Sequence, residues 1–241
     1  MFEAYLDASG TEHDQPVLAV AGFIGLAEEW LAFERIWRKR LSKDGFECFH
    51  MREINRTFKG RGAARRGLLL DLAAIIEGHV TRKVGCCVVN EGIRQMPAVD
   101  KKRWHVNAYS LGGRSCAAQI RLWAETKGAR SLPRFVFEEG DAGRGELIKI
   151  LKRDGFQSPT FDPKKDREKN GCVVRGCVPL QASDLFAYAV FEPARKIEAA
   201  GDLEELPWLL DAFRKIPGVV RHLGVKDMVH LRSRLEEPEL L

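Results

Sequence analysis

The alternation of strand-like and helix-like segments constrains the fold more than any other feature of the sequence. Residues 2–7 alternate, break at Ser9-Gly10, and are followed by the apolar run 16–25, so the two segments predict a β-hairpin. The later strand patterns, each separated from the next by helical patterns, cover residues 81–90, 134–138 and 172–179. Strands separated by helices predict an α/β fold with a largely parallel sheet, here opened by an antiparallel hairpin and flanked by helices.

The predicted helices place apolar residues at helical spacing along one side. They cover residues 28–41, 65–79, 107–127, 145–153, the segment from 183 onward, and about 203–216 and 225–235. Pro193 is expected to kink or end its helix because proline supplies no N–H. Segments 56–66 and 162–171 predict polar loops. No boundary is sharp, which predicts one domain over residues 1–241 with a C-terminal helical extension at about 200–241.

The composition is that of a globular protein, with 45% hydrophobic and 30% charged residues. No segment reaches the roughly 18 uninterrupted apolar residues of a membrane span, and Met1 leads directly into a strand pattern. We therefore expect a soluble, cytoplasmic protein that does not bind a membrane. The six cysteines contain no CxxC pair and predict buried, reduced thiols, although Cys172 and Cys177 are spaced so that a metal could bind between them.

The net charge of +5 permits nucleic-acid binding without demonstrating it. Basic residues form four clusters: Arg35, Arg38, Lys39 and Arg40; Lys59, Arg61, Arg65 and Arg66; Lys101, Lys102 and Arg103; Lys164, Lys165, Arg167 and Lys169. Each cluster alone is typical of a solvated face, whereas several clusters on one face would bind a phosphate backbone. The sequence leaves open whether they share a face, and it does not indicate the oligomeric state.

Three acidic residues adjoin predicted core segments. Asp7 lies in the first strand, Glu138 ends a later strand, and Asp184 stands at the start of an apolar helix. Taken singly, Asp7 could cap the Ser9-Gly10 turn and Asp184 could cap the helix that follows it. Taken together, the three suggest a metal site, because carboxylates brought close together repel one another unless cations lie between them.

Carboxylate oxygens favour Mg²⁺ or Mn²⁺ over Zn²⁺. Two such ions about 3.5 to 4 Å apart can activate a water and stabilise the leaving oxygen in phosphodiester hydrolysis. Glu139 and Asp141 are further candidate ligands beside Glu138. His50, with Glu53 three residues later, is a candidate general base or ligand, with a structural histidine as the alternative.

The chain also resembles a known family in four short motifs. They are Tyr5-Leu6-Asp7-Ala8-Ser9-Gly10, Phe49-His50, Phe137-Glu138 and Leu180-Gln181-Ala182-Ser183-Asp184-Leu185. In these motifs the chain is similar to the domain-of-unknown-function 3800 family, a mostly prokaryotic group of the ribonuclease-H-like superfamily, over roughly residues 2–195. The resemblance implies a ribonuclease-H-like fold, with acids of the first strand, fourth strand and a late helix falling on Asp7, Glu138 and Asp184.

Two positions depart from the family pattern. Ala8 stands where the family usually has Glu, and Glu138 where it commonly has Asp. Ala8 points away from Asp7 if the strand alternates, so its loss need not touch a metal. The longer Glu138 side chain leaves Glu139 or Asp141 as a possible substitute ligand.

The leading functional hypothesis is a nuclease that needs Mg²⁺ or Mn²⁺, with Asp7, Glu138 and Asp184 as ligands and a metal-bound water as nucleophile. The alternative is a non-catalytic nucleic-acid-binding or assembly module that keeps the fold without turnover. A nucleotide-dependent phosphotransferase is a third class, because segment 7–11 also resembles the first phosphate loop of actin-like folds. Those folds need two similar domains, for which 241 residues are too few. DNA or RNA, and internal or terminal cutting, stay open.

Overall fold

The computed structural model describes residues 1–12, 14–129, 131–169, 172–201 and 207–228. The strands are β1 (Phe2–Ser9), β2 (Val17–Leu26), β3 (Arg82–Val89), β4 (Arg134–Glu138), β5 (Thr160–Asp162), β6 (Arg167–Lys169), β7 (Cys172–Val174) and β8 (Gly218–Leu223). Six of them form one sheet in the order β5-β4-β1-β2-β3-β8, and β6 and β7 form a separate hairpin.

Pairing within the large sheet is mixed. Strand β2 pairs antiparallel with both β1 and β3, whereas β4 pairs parallel with β1, β5 parallel with β4, and β8 parallel with β3. The predicted fold class is therefore confirmed: an α/β fold with a mixed sheet that opens in an antiparallel hairpin, continues in parallel strands and is flanked by helices.

The described helices are α1 (Ala27–Ser42), α2 (Met51–Thr57), α3 (Gly62–Glu77), α4 (Asn90–Gln95), α5 (Ala98–Trp104), α6 (Ala108–Thr126), α7 (Arg144–Arg153), α8 (Val178–Ala200) and α9 (Trp208–Asp211). Helices α1, α3 and α8 share a core with one face of the sheet, and α6 and α7 share a core with the other face. No helix within the described ranges is long and apolar enough to cross a membrane.

The alternation of side chains along each strand decides which core a residue joins. Tyr5 and Val136 belong to the core under α8, and Leu6 and Phe137 to the core under α6. Asp7 lies two residues after Tyr5, and Glu138 two residues after Val136, so both acids emerge on the α8 face. The alternation along β1 and β4 therefore brings both acids toward α8.

Two adjacent glycines let α6 pack closely on the sheet and on α7. A Cβ atom on Gly112 would lie 2.7 Å from Val20 Cγ2, and one on Gly113 would lie 2.7 Å from Leu147 Cδ1. Both distances are shorter than a carbon–carbon contact allows. Any larger residue would push α6 away from its neighbours.

The predicted loop at 56–66 is mostly helical. Helix α2 runs through Thr57 and α3 begins at Gly62, which leaves only residues 58–61 as a connection. The absence of an apolar period in this segment misled the prediction, because α3 turns its charged first turn outward and buries only its later residues, from Leu68 onward. Arginine and alanine are good helix formers even where they are exposed.

Helix α8 differs from the prediction at both ends. It begins at Val178 rather than near residue 183, with proline in its first turn, where a missing N–H costs nothing. It also runs through Pro193 to Ala200, so Pro193 does not end it. Pro193 and Ala194 are buried, and packing on the core outweighs the one lost hydrogen bond.

Two strands of the sheet were not predicted. Strand β5 has only three residues. Strand β8 has six residues at the edge of the sheet, and its exposed Val219, Arg221 and His222 leave no apolar alternation to read. The predicted last strand at 172–179 shortens to β7, which pairs with β6 inside the predicted loop 162–171. Helix α9 covers part of the predicted helix 203–216, and residues 225–228 are helical. Residues 202–206 and 229–241 of those predictions lie outside the described residues.

The thiols of Cys86, Cys87 and Cys116 are free and buried, as predicted. Burial raises the pKa of the Cys86 thiol to about 11, so it stays protonated at neutral pH. Cys48 and Cys177 are free and half-buried. The side chain of Cys172 lies outside the described part of the chain, so a metal between it and Cys177 stays an untested alternative.

Candidate functional site

The carboxyl ends of three parallel strands bring the candidate residues to one edge of the sheet. Asp7 lies near the end of β1 and Glu138 ends β4, while Lys164 follows β5 by two residues. Ligand sites of open α/β sheets form beyond the carboxyl ends of the strands. Asp184 reaches the same place from α8, which is fixed to β1 where Ser183 Oγ donates to the Tyr5 carbonyl over 2.9 Å.

The ammonium group of Lys164 lies at the centre of the site. Its Nζ is 3.0 Å from Asp7 Oδ2, 2.8 Å from Glu138 Oε2 and 3.4 Å from Asp184 Oδ2. Asp7 is 1% exposed, Asp184 6% and Lys164 8%. The three acids predicted from the sequence therefore meet at one point, and the Lys164 ammonium occupies that point.

Lys164 belongs to a basic cluster that is typical of a solvated face, so its buried position was not predicted. The signal that could have revealed it is a lysine just beyond the end of a strand, but β5 is too short to be read from an apolar pattern. The neighbouring Lys165 is exposed, as a solvated cluster predicts. Of the two lysines, only the first turns inward.

Gln181 fixes the backbone that carries Lys164. Its Nε2 donates to the Lys164 carbonyl over 2.8 Å, and its Oε1 accepts from Trp37 Nε1 and from the Phe49 amide, each at 2.9 Å. Gln181 is 2% exposed, so all of these groups are satisfied away from water. Its role in the described structure is to hold three chain segments together beneath the site.

The two buried aspartates accept backbone hydrogen bonds that differ from the capping bonds considered above. Asp7 Oδ1 accepts from the Ala8 amide at 2.7 Å, before the turn begins. Asp184 lies inside α8, and its Oδ2 accepts from the Met51 amide at 3.0 Å, in the first turn of α2. Asp184 therefore caps a neighbouring helix rather than its own, which ties α2 to the site.

The electrostatics of the site are dominated by burial. Burial raises the pKa of Asp7 to about 7, with a further increase from Glu138 that Lys164 opposes. Burial and the charge of Asp7 likewise raise the pKa of Asp141 to about 7. Burial also raises the pKa of Asp184. Although burial alone would lower the pKa of Lys164, its carboxylate neighbours outweigh that effect and raise it, so the ammonium keeps its charge.

Asp141 adds a fourth carboxylate at the edge of the cluster. Its Oδ2 is buried and has no hydrogen-bond partner among the described residues, and the same holds for the hydroxyl of Tyr109. The Tyr109 hydroxyl lies close enough to lower the pKa of Asp141, although burial raises that pKa more. Tyr109 lies at the start of α6, and nothing in its spacing within the predicted helix 107–127 marked it as a site residue.

A cavity of about 410 Å³ opens directly over the cluster. Its lining includes Glu138, Asp141, Lys164 and Asp184, together with His50 and Arg52 from the start of α2. The loop after β1 forms one wall, where Gly10 has φ +79° and a Cβ atom would lie 2.3 Å from Phe191 Cε2. Glycine is therefore required there, because a side chain would be strained and would clash.

His50 reaches the site as the N-cap of α2. Its Nδ1 accepts from the Arg52 amide at 3.4 Å and lies 3.4 Å from Asp184 Oδ2. Glu53 lines a second cavity, of about 610 Å³, rather than the first. The predicted pair is therefore divided, with only the histidine facing the carboxylates from the first cavity.

The three acids at the end of β4 have different environments. Glu138 contacts the Lys164 ammonium and Asp141 lines the first cavity. Glu139 forms an ion pair with Arg167 of β6, and its amide donates to the Asp162 carbonyl over 3.0 Å. Glu138 and Asp141 are thus the two of this group that the fold directs at the site.

The donor set of the site suits a hard divalent cation. Mg²⁺ and Mn²⁺ prefer carboxylate oxygens, and Mg²⁺ binds them at about 2.0–2.1 Å. Here the oxygens stand 2.8–3.4 Å from an ammonium nitrogen. Within the described residues no group of three or more His, Cys, Asp or Glu side chains already has the arrangement of a metal site. The residue types fit a divalent cation, which would have to replace the Lys164 ammonium.

Comparison of the chain with protein-family models, with curated proteins and with solved structures finds no match. The resemblance to the domain-of-unknown-function 3800 family therefore stays a prediction that rests on the four motifs. The function is therefore inferred from the arrangement of Asp7, Glu138, Lys164 and Asp184.

Proposed function

We propose that the protein is a divalent-metal-dependent nuclease that hydrolyses phosphodiester bonds of DNA or RNA. The observation that carries this proposal is the convergence of Asp7, Glu138 and Asp184 on one cation position beneath an open cleft. Three different elements supply these acids, so the arrangement does not arise from the local structure of any one segment.

The charge balance of the cluster supports a role beyond holding the fold together. Four carboxylates face one lysine, and burying unpaired charge destabilises a protein. The pKa values of about 7 for Asp7 and Asp141, raised first by burial, fit a site that is short of positive charge. A bound divalent cation would supply that charge.

Bound Mg²⁺ or Mn²⁺ would supply an activated water and would neutralise charge on the phosphate. Asp7, Glu138 and Asp184 would hold the cation through their carboxylate oxygens. Asp141 has a pKa of about 7, raised by burial, and an unpartnered Oδ2, so it can accept a proton at that atom near neutral pH. His50 Nδ1 lies 3.4 Å from Asp184 Oδ2, and a tautomer with its proton on Nδ1 would donate to that carboxylate in place of accepting from the Arg52 amide.

The partner would be a nucleic acid, held by its phosphates along the cleft. Arg52 and Asn55 line the cleft, and Arg52 is exposed, with Glu12 as its ion-pair partner. Binding through such exposed cations is weakly sequence-specific and weakens as salt rises. These features leave DNA and RNA as equal candidates.

The experiment that tests the proposal is cleavage of labelled single- and double-stranded DNA, RNA and hybrids with Mn²⁺, Mg²⁺ or EDTA. Asp7→Asn and Asp184→Asn are expected to lower the rate by more than about a hundredfold, because they remove ligands rather than their supports. The matched control is Asp71→Asn, an exposed carboxylate paired with Arg40 outside the site. Metal-independent cleavage, or full activity of both folded site variants, would contradict the proposal.

A non-catalytic binding or assembly module is the second candidate. The observation that favours it is that Lys164 already contacts all three acids, so the cluster has a cation without any metal. For a non-catalytic module we expect nucleic-acid binding that is unaffected by EDTA and by Asp184→Asn, and no cleavage under any condition. Filter binding and cleavage on the same substrates distinguish the two.

A further inference from the structure

We propose that Lys164 is an internal competitor for the metal, so that its ammonium and a divalent cation occupy the position between Asp7, Glu138 and Asp184 in turn. The inference rests on the proposed function, because it concerns the same site. It adds a means of regulation: metal enters only when the lysine leaves.

The geometry makes the two cations mutually exclusive. The Lys164 nitrogen lies 2.8–3.4 Å from one oxygen of each acid. A divalent ion bound to the same three oxygens at about 2.1 Å would have its centre within a few ångströms of that nitrogen. Two positive charges that close, in a buried setting, repel each other strongly.

The structure offers the lysine a second place to go. Lys164 lines both the first cavity and the second cavity of about 610 Å³, and it is the one residue that the described linings of the two cavities share. The second cavity is lined by three carboxylates, those of Glu47, Glu53 and Asp166, and by two other cations, Arg38 and Lys165. An ammonium that leaves the first cavity therefore finds both room and acceptors in the second.

The backbone of Lys164 is anchored, so the exchange needs only its side chain to rotate. Its carbonyl accepts from Gln181 Nε2 at 2.8 Å and from Cys48 Sγ at 3.7 Å. The four-carbon stem of lysine is flexible and carries its charge at the tip. The apparent metal affinity is then the intrinsic affinity multiplied by the fraction of molecules in which the lysine side chain has rotated out of the site.

The first test measures Mn²⁺ binding alone, by calorimetry, for wild type, Lys164→Met and the matched control Lys165→Met. Lys165 is adjacent, exposed and lines only the second cavity. We expect the dissociation constant to fall at least tenfold in Lys164→Met and to change less than twofold in Lys165→Met. If folded Lys164→Met binds Mn²⁺ no more tightly than wild type, or if neither of these two proteins binds Mn²⁺, the competition is refuted.

Cleavage is not the readout, so the two proposals can fail separately. Tighter Mn²⁺ binding by Lys164→Met, with no cleavage by any variant, would refute the nuclease and leave the competition standing. Metal-dependent cleavage by wild type, with unchanged Mn²⁺ affinity in Lys164→Met, would support the nuclease and refute the competition.

The second test uses the wild-type protein and so does not depend on how a variant folds. A buried, hydrogen-bonded ammonium exchanges its protons slowly, and ¹⁵N-lysine labelling should show it as a separate NMR signal, assigned by its loss in Lys164→Arg. We expect saturating Mg²⁺ to abolish this signal while that of Lys83, whose Nζ donates to the Phe213 carbonyl over 2.6 Å, persists. A Lys164 signal that survives Mg²⁺ saturation would refute the exchange.

Discussion

Two partly buried ion clusters of this molecule have opposite charge balances. Around Asp154 the arginines outnumber the acid: Arg114 and Arg153 donate to its carboxylate, and Arg121 donates to its backbone carbonyl. Around Lys164 the acids outnumber the lysine. The first cluster joins α6 to the end of α7 and lines neither of the two cavities described above, whereas the second lies under the first cavity. A cluster whose acid has several cationic partners stabilises a fold, whereas one short of positive charge is suited to exchanging cations.

The largest expected effect comes from removing one cation from each cluster, Lys164 from the first cavity and Arg114 from Asp154. In EDTA at pH 8, Lys164→Met should lower the free energy of unfolding by about 3–5 kcal/mol, because several buried carboxylates lose their partner. Arg114→Met should lower it by about 1–3 kcal/mol, because Arg153 still contacts Asp154. Urea denaturation measures both.

Mn²⁺ provides the control for this comparison. Free Mn²⁺ at a hundred times the dissociation constant of Lys164→Met should restore about 2.7 kcal/mol to that variant. It should add no more than about 1.4 kcal/mol to Arg114→Met, whose site keeps Lys164 and is expected to bind Mn²⁺ at least tenfold more weakly. Equal stabilisation of both variants would mean that Lys164 does not weaken Mn²⁺ binding, and the contrast between the clusters would be lost.

The next effect in size is a dependence of stability on pH in the absence of metal. The pKa values of Asp7 and Asp141 are raised by burial to about 7, above the ordinary range near 4. Between these values the folded protein holds protons that the unfolded chain has released, so stability is lost as pH rises toward 7. In EDTA, the free energy of unfolding should therefore be about 2–4 kcal/mol lower at pH 8 than at pH 5. Asp7→Asn should make the free energy of unfolding depend less on pH. Parallel profiles for the two proteins would contradict this.

A smaller effect separates the neighbouring acids after β4. Asp141→Asn should weaken Mn²⁺ binding by about tenfold, because Asp141 lines the cavity with an unpartnered oxygen. Glu139→Gln is the matched control, since Glu139 pairs with Arg167, and should leave the affinity unchanged. Calorimetry gives both values, and a larger loss in Glu139→Gln would reverse the assignment.

The smallest expected effect lies at the rim of the Asp154 cluster. Arg153 is partly exposed and lies 3.1 Å from Asp154, so Arg153→Ala should change the free energy of unfolding by no more than about 1 kcal/mol. Thermal unfolding measures it. A change as large as that of Lys164→Met would show that the two clusters are equally sensitive.

The sequence predicted the parts of the fold in which local pattern and tertiary role agree. Strands β1 to β4 and helices α1, α6 and α7 follow clear apolar periods, so they were predicted close to their observed bounds. Strands β5 and β8 were not, because a three-residue strand and an exposed edge strand owe their existence to the neighbour they pair with. Pairing partners cannot be read from a local period.

The site divides in the same way. Asp7, Glu138 and Asp184 were predictable because an acid at the end of an apolar run is unusual enough to notice. Lys164 was not, because it stands in a basic cluster whose other members are typical of a surface, and only the tertiary structure turns it inward. The capping of α2 by Asp184 was also unpredictable, since it joins residues 133 positions apart.

The distances along the chain between partners at the site determine when it can exist. Asp7 and Lys164 are 157 residues apart, and Ser183 and Tyr5 are 178 apart. Contacts of such separation form late, after the loops between them have closed. During synthesis, therefore, the strand that carries Asp7 emerges first, and its carboxylate has no cationic partner at the site until Lys164 has been made. A chain that ends before α8 would lack both Asp184 and the helix whose apolar side chains cover one face of the sheet, so the last acid of the site and that core are completed by the same element.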